Sequence, residues 1–252
     1  MSRKFNLSAV VIARNEARRI GGCLRRLSFA DEMIVLDNGS ADRTAVIAGK
    51  SGARVILHPS GDFSDLRNVA LAACRGNWVL YVDADEEVTD SLRDEIIKVT
   101  TDSSNPIAAY ALKRRNYYLG HLWPKEESIL RLFRKDALAG WYGPVHESAK
   151  VTGSTSQLNS PLIHRTHRNL SDMVQKTNRW SEIEAELRFA AGHPRVSWWR
   201  IFRVMATGFW DYFVRQGGYR AGATGLIESI YQAFSYFITY AKLWEKQQAK
   251  TG

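Results

Sequence analysis

Cysteine is scarce: Cys23 and Cys74 are the only two in 252 residues. That is too few for a disulfide framework, and a reducing, cytoplasmic compartment is the expectation. Long apolar runs are missing too. The best candidate, Ser229–Ala241 (SIYQAFSYFITYA), falls short of the roughly 18 uncharged apolar residues of a membrane span. It is also rich in hydroxyls, so crossing a bilayer is not expected, whereas lying on one stays open. The N-terminal MSRKFNLSAVVIARNEARR meets charge at Arg14 after a short apolar run, and no signal peptide is expected. No internal repeat or low-complexity tract occurs. Neither GxGxxG nor GxxxxGK[ST] follows the first strand-like segment, which argues against an NAD enzyme and an ordinary NTPase.

What is present is globular: 45% hydrophobic and 24% charged residues, enough for one large α/β domain with an appendage or for two small domains. The net charge of +9 is unevenly placed. Residues 1–110 carry 14 Lys/Arg and 15 Asp/Glu, whereas the remainder carries 21 and 11 together with seven of the eight tryptophans. A basic, aromatic second half points to an anionic partner surface. Helix-turn-helix signals, zinc ligands and RNP-type aromatics are absent, so nucleic acid is not the expected partner.

The first hundred residues alternate strand and helix patterns. Leu7–Ala13, Met33–Leu36, Ala53–Leu57 and Trp78–Val82 read as strands, and Glu16–Leu27, Asp42–Lys50 and Asp65–Cys74 as helices. This alternation predicts βαβ units and a mostly parallel sheet, with ligands beyond the carboxyl ends of its strands. From about residue 105 the rhythm changes, with strands at Ile107–Lys113, Ile129–Phe133 and Glu147–Val151. After Pro161 the pattern is helical: Ser171–Ala190, Val196–Arg215 and about Ala223–Lys246, separated by Pro194 and Gly217-Gly218. The predicted division is an α/β domain over 1–165 and a helical extension over 166–252.

Polar groups collect at three strand ends. The first strand ends in Ala13-Arg14-Asn15-Glu16 and the second in Asp37-Asn38-Gly39-Ser40. There Asp37 either accepts bonds from a ribose or base or merely closes a turn. The fourth ends in Asp83-Ala84-Asp85. Two carboxylates held together repel unless a cation or donors separate them, and hard oxygen ligands suit Mg²⁺ or Mn²⁺ on a diphosphate.

VVIARNE, DNGSADRT and YVDADE, in this order and at these separations, resemble the inverting glycosyltransferases of family 2. That resemblance covers residues 5–165 and implies the GT-A fold. It also implies that Asp37 contacts uracil, that Asp83 contacts ribose or uracil, and that Asp85 holds the divalent metal, with Asn15 and Glu16 lining the nucleotide. Arg67, in the helix before strand four, would help bind the nucleotide; a solvated helix face is the alternative. Trp141-Tyr142-Gly143-Pro144-Val145-His146-Glu147 falls where that family carries its base. Glu147 is the favoured proton acceptor, with His146 as second candidate or as a metal ligand. Arg131 is a candidate for the diphosphate or acceptor side, although strand alternation (Leu130 and Leu132 in, Arg131 and Arg134 out) also accounts for it.

The VHE segment, His164 with the RTHR run, and the tail segments FWDYFVRQGG and YAKL are similar to lipopolysaccharide inner-core β-1,4-glucosyltransferases. Those relatives tend to have Asp-Gly where this chain has Ala221-Gly222. The implied function is transfer of a sugar, glucose first, from a UDP-sugar to a hydroxyl of a lipid-linked glycan, in a bacterial cell at the inner face of the cytoplasmic membrane. Transfer to polyprenyl phosphate and a non-catalytic sugar-nucleotide-binding scaffold are the alternatives. In the tail, Trp198, Trp199, Phe202, Met205, Phe209, Trp210 and Phe213 stand among Arg195, Arg200, Arg203 and Arg215. The expectation there is apolar packing first, with the arginines facing lipid or a phosphorylated acceptor.

Overall fold

A computed structural model describes residues 6–143, 148–167 and 169–249. The chain forms two compact units, the first from residues 1–115 and 127–164 and the second from residues 116–126 and 165–252.

In the first unit, β1 (Leu7–Ala13), α1 (Ile20–Arg26), β2 (Glu32–Asp37), α2 (Thr44–Lys50), β3 (Arg54–Leu57), α3 (Phe63–Ala73) and β4 (Trp78–Asp83) alternate along the chain. Strand β1 lies between β2 and β4, parallel to both, and β3 runs parallel on the far side of β2. The near-continuous apolar run of β1 reflects burial on both faces. Leu7, Ala9, Val11, Leu80 and Val82 belong to one core, and Val10, Ile34, Leu36, Val79 and Tyr81 to the other. The period of two along β1 and β4 thus divides the apolar residues between two helix-covered layers.

Beyond β4 the sheet becomes antiparallel. After β5 (Glu86–Val88) and α4 (Asp90–Thr101) come β6 (Ala109–Tyr118), β7 (His121–Leu122), β8 (Glu127–Arg134), β9 (Leu138–Tyr142), β10 (Ser148–Val151) and β11 (Thr155–Thr166). The order is β3-β2-β1-β4-β8-β6-β11-β5, and β9 and β10 form a separate antiparallel pair. Strand β8 is antiparallel to β4 and to β6. Residues 155–166, which carry no clear strand period, become a strand that pairs His164 with Glu86 on β5.

Helix caps explain the boundaries. Asp62 and Asp65 form a reciprocal capping box, so α3 begins at Phe63 rather than at Asp65. Thr89 accepts from the Leu92 amide and opens α4.

The second unit holds the hairpin of β7 against Tyr117 and Tyr118, turned by Leu119 and Gly120, both at positive φ. Its helices are α5 (Leu170–Ala190), α6 (Trp198–Trp210) and α7 (Gly222–Ala249). A π-helical turn over Asp211–Arg215 extends α6, and a 3₁₀ turn over Gly218–Ala221 leads into α7. Glycine is required at this corner: a Cβ on Gly225 would fall 1.7 Å from the Gly218 carbonyl oxygen. Inside the unit, the fully buried Glu228 meets His167 Nδ1 at 2.9 Å and accepts from Gln232 at 2.7 Å. No helix among the described residues is long and apolar enough to cross a membrane.

Candidate functional site

The register of the parallel strands sets the site. Ala13 pairs with Asp37, and Ile12 with Asp83, so the segments that follow β1, β2 and β4 leave the sheet at one edge. Asn15 has φ 57°, a left-handed conformation that asparagine tolerates. From it the backbone amide donates to Ser40 Oγ at 2.9 Å, and its side-chain oxygen accepts from the Ala41 amide at 2.8 Å. The Glu16 amide donates to Thr44 Oγ1 at 2.8 Å, and the Glu16 carboxylate pairs with Arg19 at 2.9 Å. Both residues therefore stitch the turn after β1 to the turn after β2.

Asp37 is 1% exposed. Its Oδ1 accepts from the Ser40 amide at 2.7 Å, whereas its Oδ2 is buried and has no hydrogen-bond partner among the described residues. A buried carboxylate oxygen without a donor is costly and rare.

Strand β4 stops at Asp83, and Ala84-Asp85 make a turn into β5. The side-chain alternation of a strand therefore does not carry through to Asp85, and the two carboxylates meet different partners. Asp83 Oδ2 lies 2.6 Å from Arg131, and its Oδ1 lies 3.7 Å from Arg67. Asp85 Oδ2 stands 3.4 Å from His164 Nε2. Burial alone would raise the Asp83 carboxyl, but Arg131, then Arg67, Arg114 and His164, hold it well below the usual carboxylate range.

Arg67 and Arg131 are buried, not solvated. The Arg67 guanidinium lies over the rings of Trp141 (4.6 Å) and Tyr81 (5.3 Å). Asn68 fixes this shelf by exchanging two bonds with the Trp141 backbone, at 2.9 and 2.8 Å. Arg131 also lies 3.5 Å from the buried Glu86, which Arg114 meets at 3.1 Å; Arg114 in turn binds Glu127 at 2.5 Å. Guanidiniums and carboxylates thus alternate beneath the carboxyl edge. The outward direction that alternation predicts for Arg131 gives way to this pairing.

Asn15, Glu16, Asp37, Arg67, Asp83, Asp85 and Arg131 therefore gather at one sheet edge. His146 and Glu147 lie outside the described residues, between Tyr142 of β9 and its partner Ser148 of β10. His164 joins the set without having a role assigned from sequence. Its only signal was its place directly before the RTHR run, because the β5–β11 pairing that delivers it is formed by short or weakly patterned strands. The thiols are poor nucleophiles: burial pushes Cys74 up to about 12 and Cys23 higher still.

The comparisons with known proteins agree with this arrangement. The chain is 27% identical over 263 residues to the lipopolysaccharide core biosynthesis glycosyltransferase LpsC of Rhizobium meliloti, covering 99% of this chain and 96% of that one. It is 30% identical over 253 residues to an uncharacterized glycosyltransferase, RP128, of Rickettsia prowazekii, covering 94% and 86%. Among solved structures, glucosyl-3-phosphoglycerate synthase from Mycobacterium tuberculosis in complex with Mn²⁺, UDP and phosphoglyceric acid shares the fold, with a TM-score of 0.50. The match covers 75% of this chain and 80% of that one at 20% identity. The fold is thus the GT-A type that the sequence motifs imply, and the helical C-terminal region follows it. Residues 8–150 match the model of the glycosyl transferase family 2, and the chain belongs to that family as a transferase.

Proposed function

We propose that this glycosyltransferase moves a hexose, glucose first, from a UDP-sugar to a hydroxyl of a lipid-linked glycan of the lipopolysaccharide inner core, with inversion at the anomeric carbon. The observation that carries the donor reading is the orphaned Oδ2 of Asp37, at the same sheet edge as Asp83 and Asp85. A uracil N3–H is a donor of the right kind for that oxygen. An acceptor in the lipopolysaccharide core is supported by the similarity to LpsC along nearly the whole of both chains.

In this reading Asp37 accepts from the base and Asp83, oriented by Arg131, accepts from the ribose. Asn15 and Glu16 hold the loops that frame the nucleotide. Arg67, braced on Trp141 and Tyr81, and Arg131 set positive charge beside the diphosphate. Asp85 with His164, an oxygen and a nitrogen donor 3.4 Å apart, fits a divalent cation of the Mg²⁺ or Mn²⁺ type. When bound, that cation supplies countercharge to the departing diphosphate.

Glu147 takes the proton of the acceptor hydroxyl, with His146 next in line. The hydroxyl oxygen forms its bond to the anomeric carbon from the face opposite the diphosphate, the carbon–oxygen bond to the diphosphate breaks, and UDP leaves. Residues 1–165 serve the donor chemistry, and residues 166–252 serve the acceptor and membrane side, at the cytoplasmic face of the inner membrane.

Glu147→Gln tests the hydroxyl acceptor. UDP binding should survive while turnover falls by on the order of 10²-fold or more. An unchanged rate would move the base to His146; a rate unchanged in both Glu147→Gln and His146→Gln would favour an acceptor that is already ionised, such as a polyprenyl phosphate, and would contradict the hydroxyl reading.

A further inference from the structure

Helix α6 in the second unit carries an apolar ridge that none of the described residues covers. Trp198, Phe202, Ala206 and Trp210 follow one another at intervals of four, and all are exposed: 75% for Trp198, 67% for Phe202 and 59% for Trp210. Val214, one interval further on, is exposed as well. Residues four apart are neighbours on a helix surface, so these side chains form one ridge that rises about 18 Å between Trp198 and Trp210 and winds by about 40° per step. Gly208 is buried on the opposite side, where a Cβ would strike the Tyr236 ring. The helix therefore packs with Gly208 and the half-buried Ile201, Val204 and Met205, and turns Trp198, Phe202 and Trp210 to solvent. A second apolar face is thus left over beyond the one that meets the core.

The charge beside the ridge says what it fits. Residues 195–215 contain four arginines and one acidic residue, Asp211. Arg200 and Arg203 each lie over the Trp199 ring, at 5.2 Å, which holds two cations along the flank of the ridge. Asp211 is engaged by Gln216 at 2.7 Å and by Arg215 at 3.4 Å, leaving the helix strongly positive. Pairing this ridge with the same ridge of a second copy would set arginine rows beside arginine rows. An anionic bilayer instead offers hydrocarbon to the ridge and negative headgroups to its flanks. Tryptophan at both ends suits the headgroup boundary, where an apolar body and an N–H donor are both satisfied.

We propose that α6 is an interfacial membrane helix, with the Trp198–Phe202–Trp210 ridge inserted below the headgroups of an anionic leaflet and Arg200 and Arg203 placed among the phosphates. This deepens the membrane side of the proposed function and rests on that reading for its biological setting. The contact itself is a property of α6 and is measured without any sugar substrate. The aromatic side chains, and not the arginines alone, carry the attachment.

Flotation with phosphatidylglycerol-containing vesicles tests this directly, with pure phosphatidylcholine vesicles as the neutral arm. The full chain should float with anionic vesicles and much less with neutral ones. The triple change Trp198→Ser, Phe202→Ser, Trp210→Ser should abolish flotation. Leu57→Ser, which alters an equally exposed apolar residue (71%) of the first unit, should leave it intact. An unchanged elution volume and far-UV spectrum would show that the triple variant folds. UDP binding by the triple variant separates the two readings: retained UDP binding with lost flotation supports the helix as the anchor. Flotation that survives in the triple variant overturns the inference and leaves the glycosyltransferase reading standing. A wild-type chain that ignores vesicles and becomes monomeric only when the ridge is changed also overturns it, in favour of a second copy as the occupant.

Discussion

Arg131 Nη2 lies 2.6 Å from Asp83 Oδ2 and 3.5 Å from Glu86 Oε1, so one guanidinium on β8 joins the last residue of β4 to the first residue of β5. The Glu86 side chain is fully buried and that of Arg131 nearly so, and the turn that holds Asp85 lies between the two carboxylates it binds. The pairing sets the geometry of the turn and favours the charged form of Asp83.

Removing that cation leaves the buried Glu86 with Arg114 alone and Asp83 with Arg67 alone. Arg131→Met should lower the free energy of unfolding by about 3 kcal/mol, read from urea denaturation, and Asp83→Asn in the same chain should recover part of the loss. The exposed helix pair of Arg93 with Asp90 is the control, since Arg93→Met should cost less than about 1 kcal/mol. Equal costs for the two arginines would refute a structural role for the Arg131 pairing.

The pH dependence has a definite sign. Burial opposes the charge on Asp83, but the facing cations prevail and hold its carboxyl below its ordinary value of 3.8. The unfolded chain therefore binds this proton more tightly than the native protein. The stability contributed is complete above the ordinary value and fades as pH falls below about 4. The difference in urea midpoint between wild type and Asp83→Asn should be level from about pH 7 to about pH 5 and shrink in stronger acid. A difference that grows on acidification would contradict this.

Asp37→Asn isolates the orphaned oxygen. The amide keeps an acceptor for the Ser40 amide, now 2.7 Å from Oδ1, and puts a donor where Oδ2 has no partner. Thermal stability should change little, while UDP affinity should fall by on the order of ten-fold or more. Unaltered UDP affinity would remove the uracil contact from Asp37.

Much of the edge was legible in the sequence because consecutive strands with apolar runs end in conspicuous polar segments. Ala13-Arg14-Asn15, Asp37 and Asp83 lie where the alternation of strands and helices puts them. Other features depend on contacts between distant segments, which periodicity does not record. Arg67 and Arg131 read equally well as solvated residues; each is buried because Trp141, Tyr81 or Asp83 reaches it from elsewhere in the chain. His164 reaches Asp85 through a three-residue strand, β5, too short to leave a pattern of its own. In α6 the spacing identifies an amphipathic helix, but it does not reveal that the aromatic ridge faces outward. The sequence reading assigned that stripe to packing first; the exposure of Trp198, Phe202 and Trp210 shows otherwise for the ridge.

The most direct test of the donor site is calorimetric titration of UDP into wild type and Asp85→Asn, each with and without Mn²⁺. The predicted result is binding that requires Mn²⁺ in the wild type and is lost in the variant. UDP binding that is indifferent to Mn²⁺ and unchanged by Asp85→Asn, or no UDP binding under any condition, would contradict it.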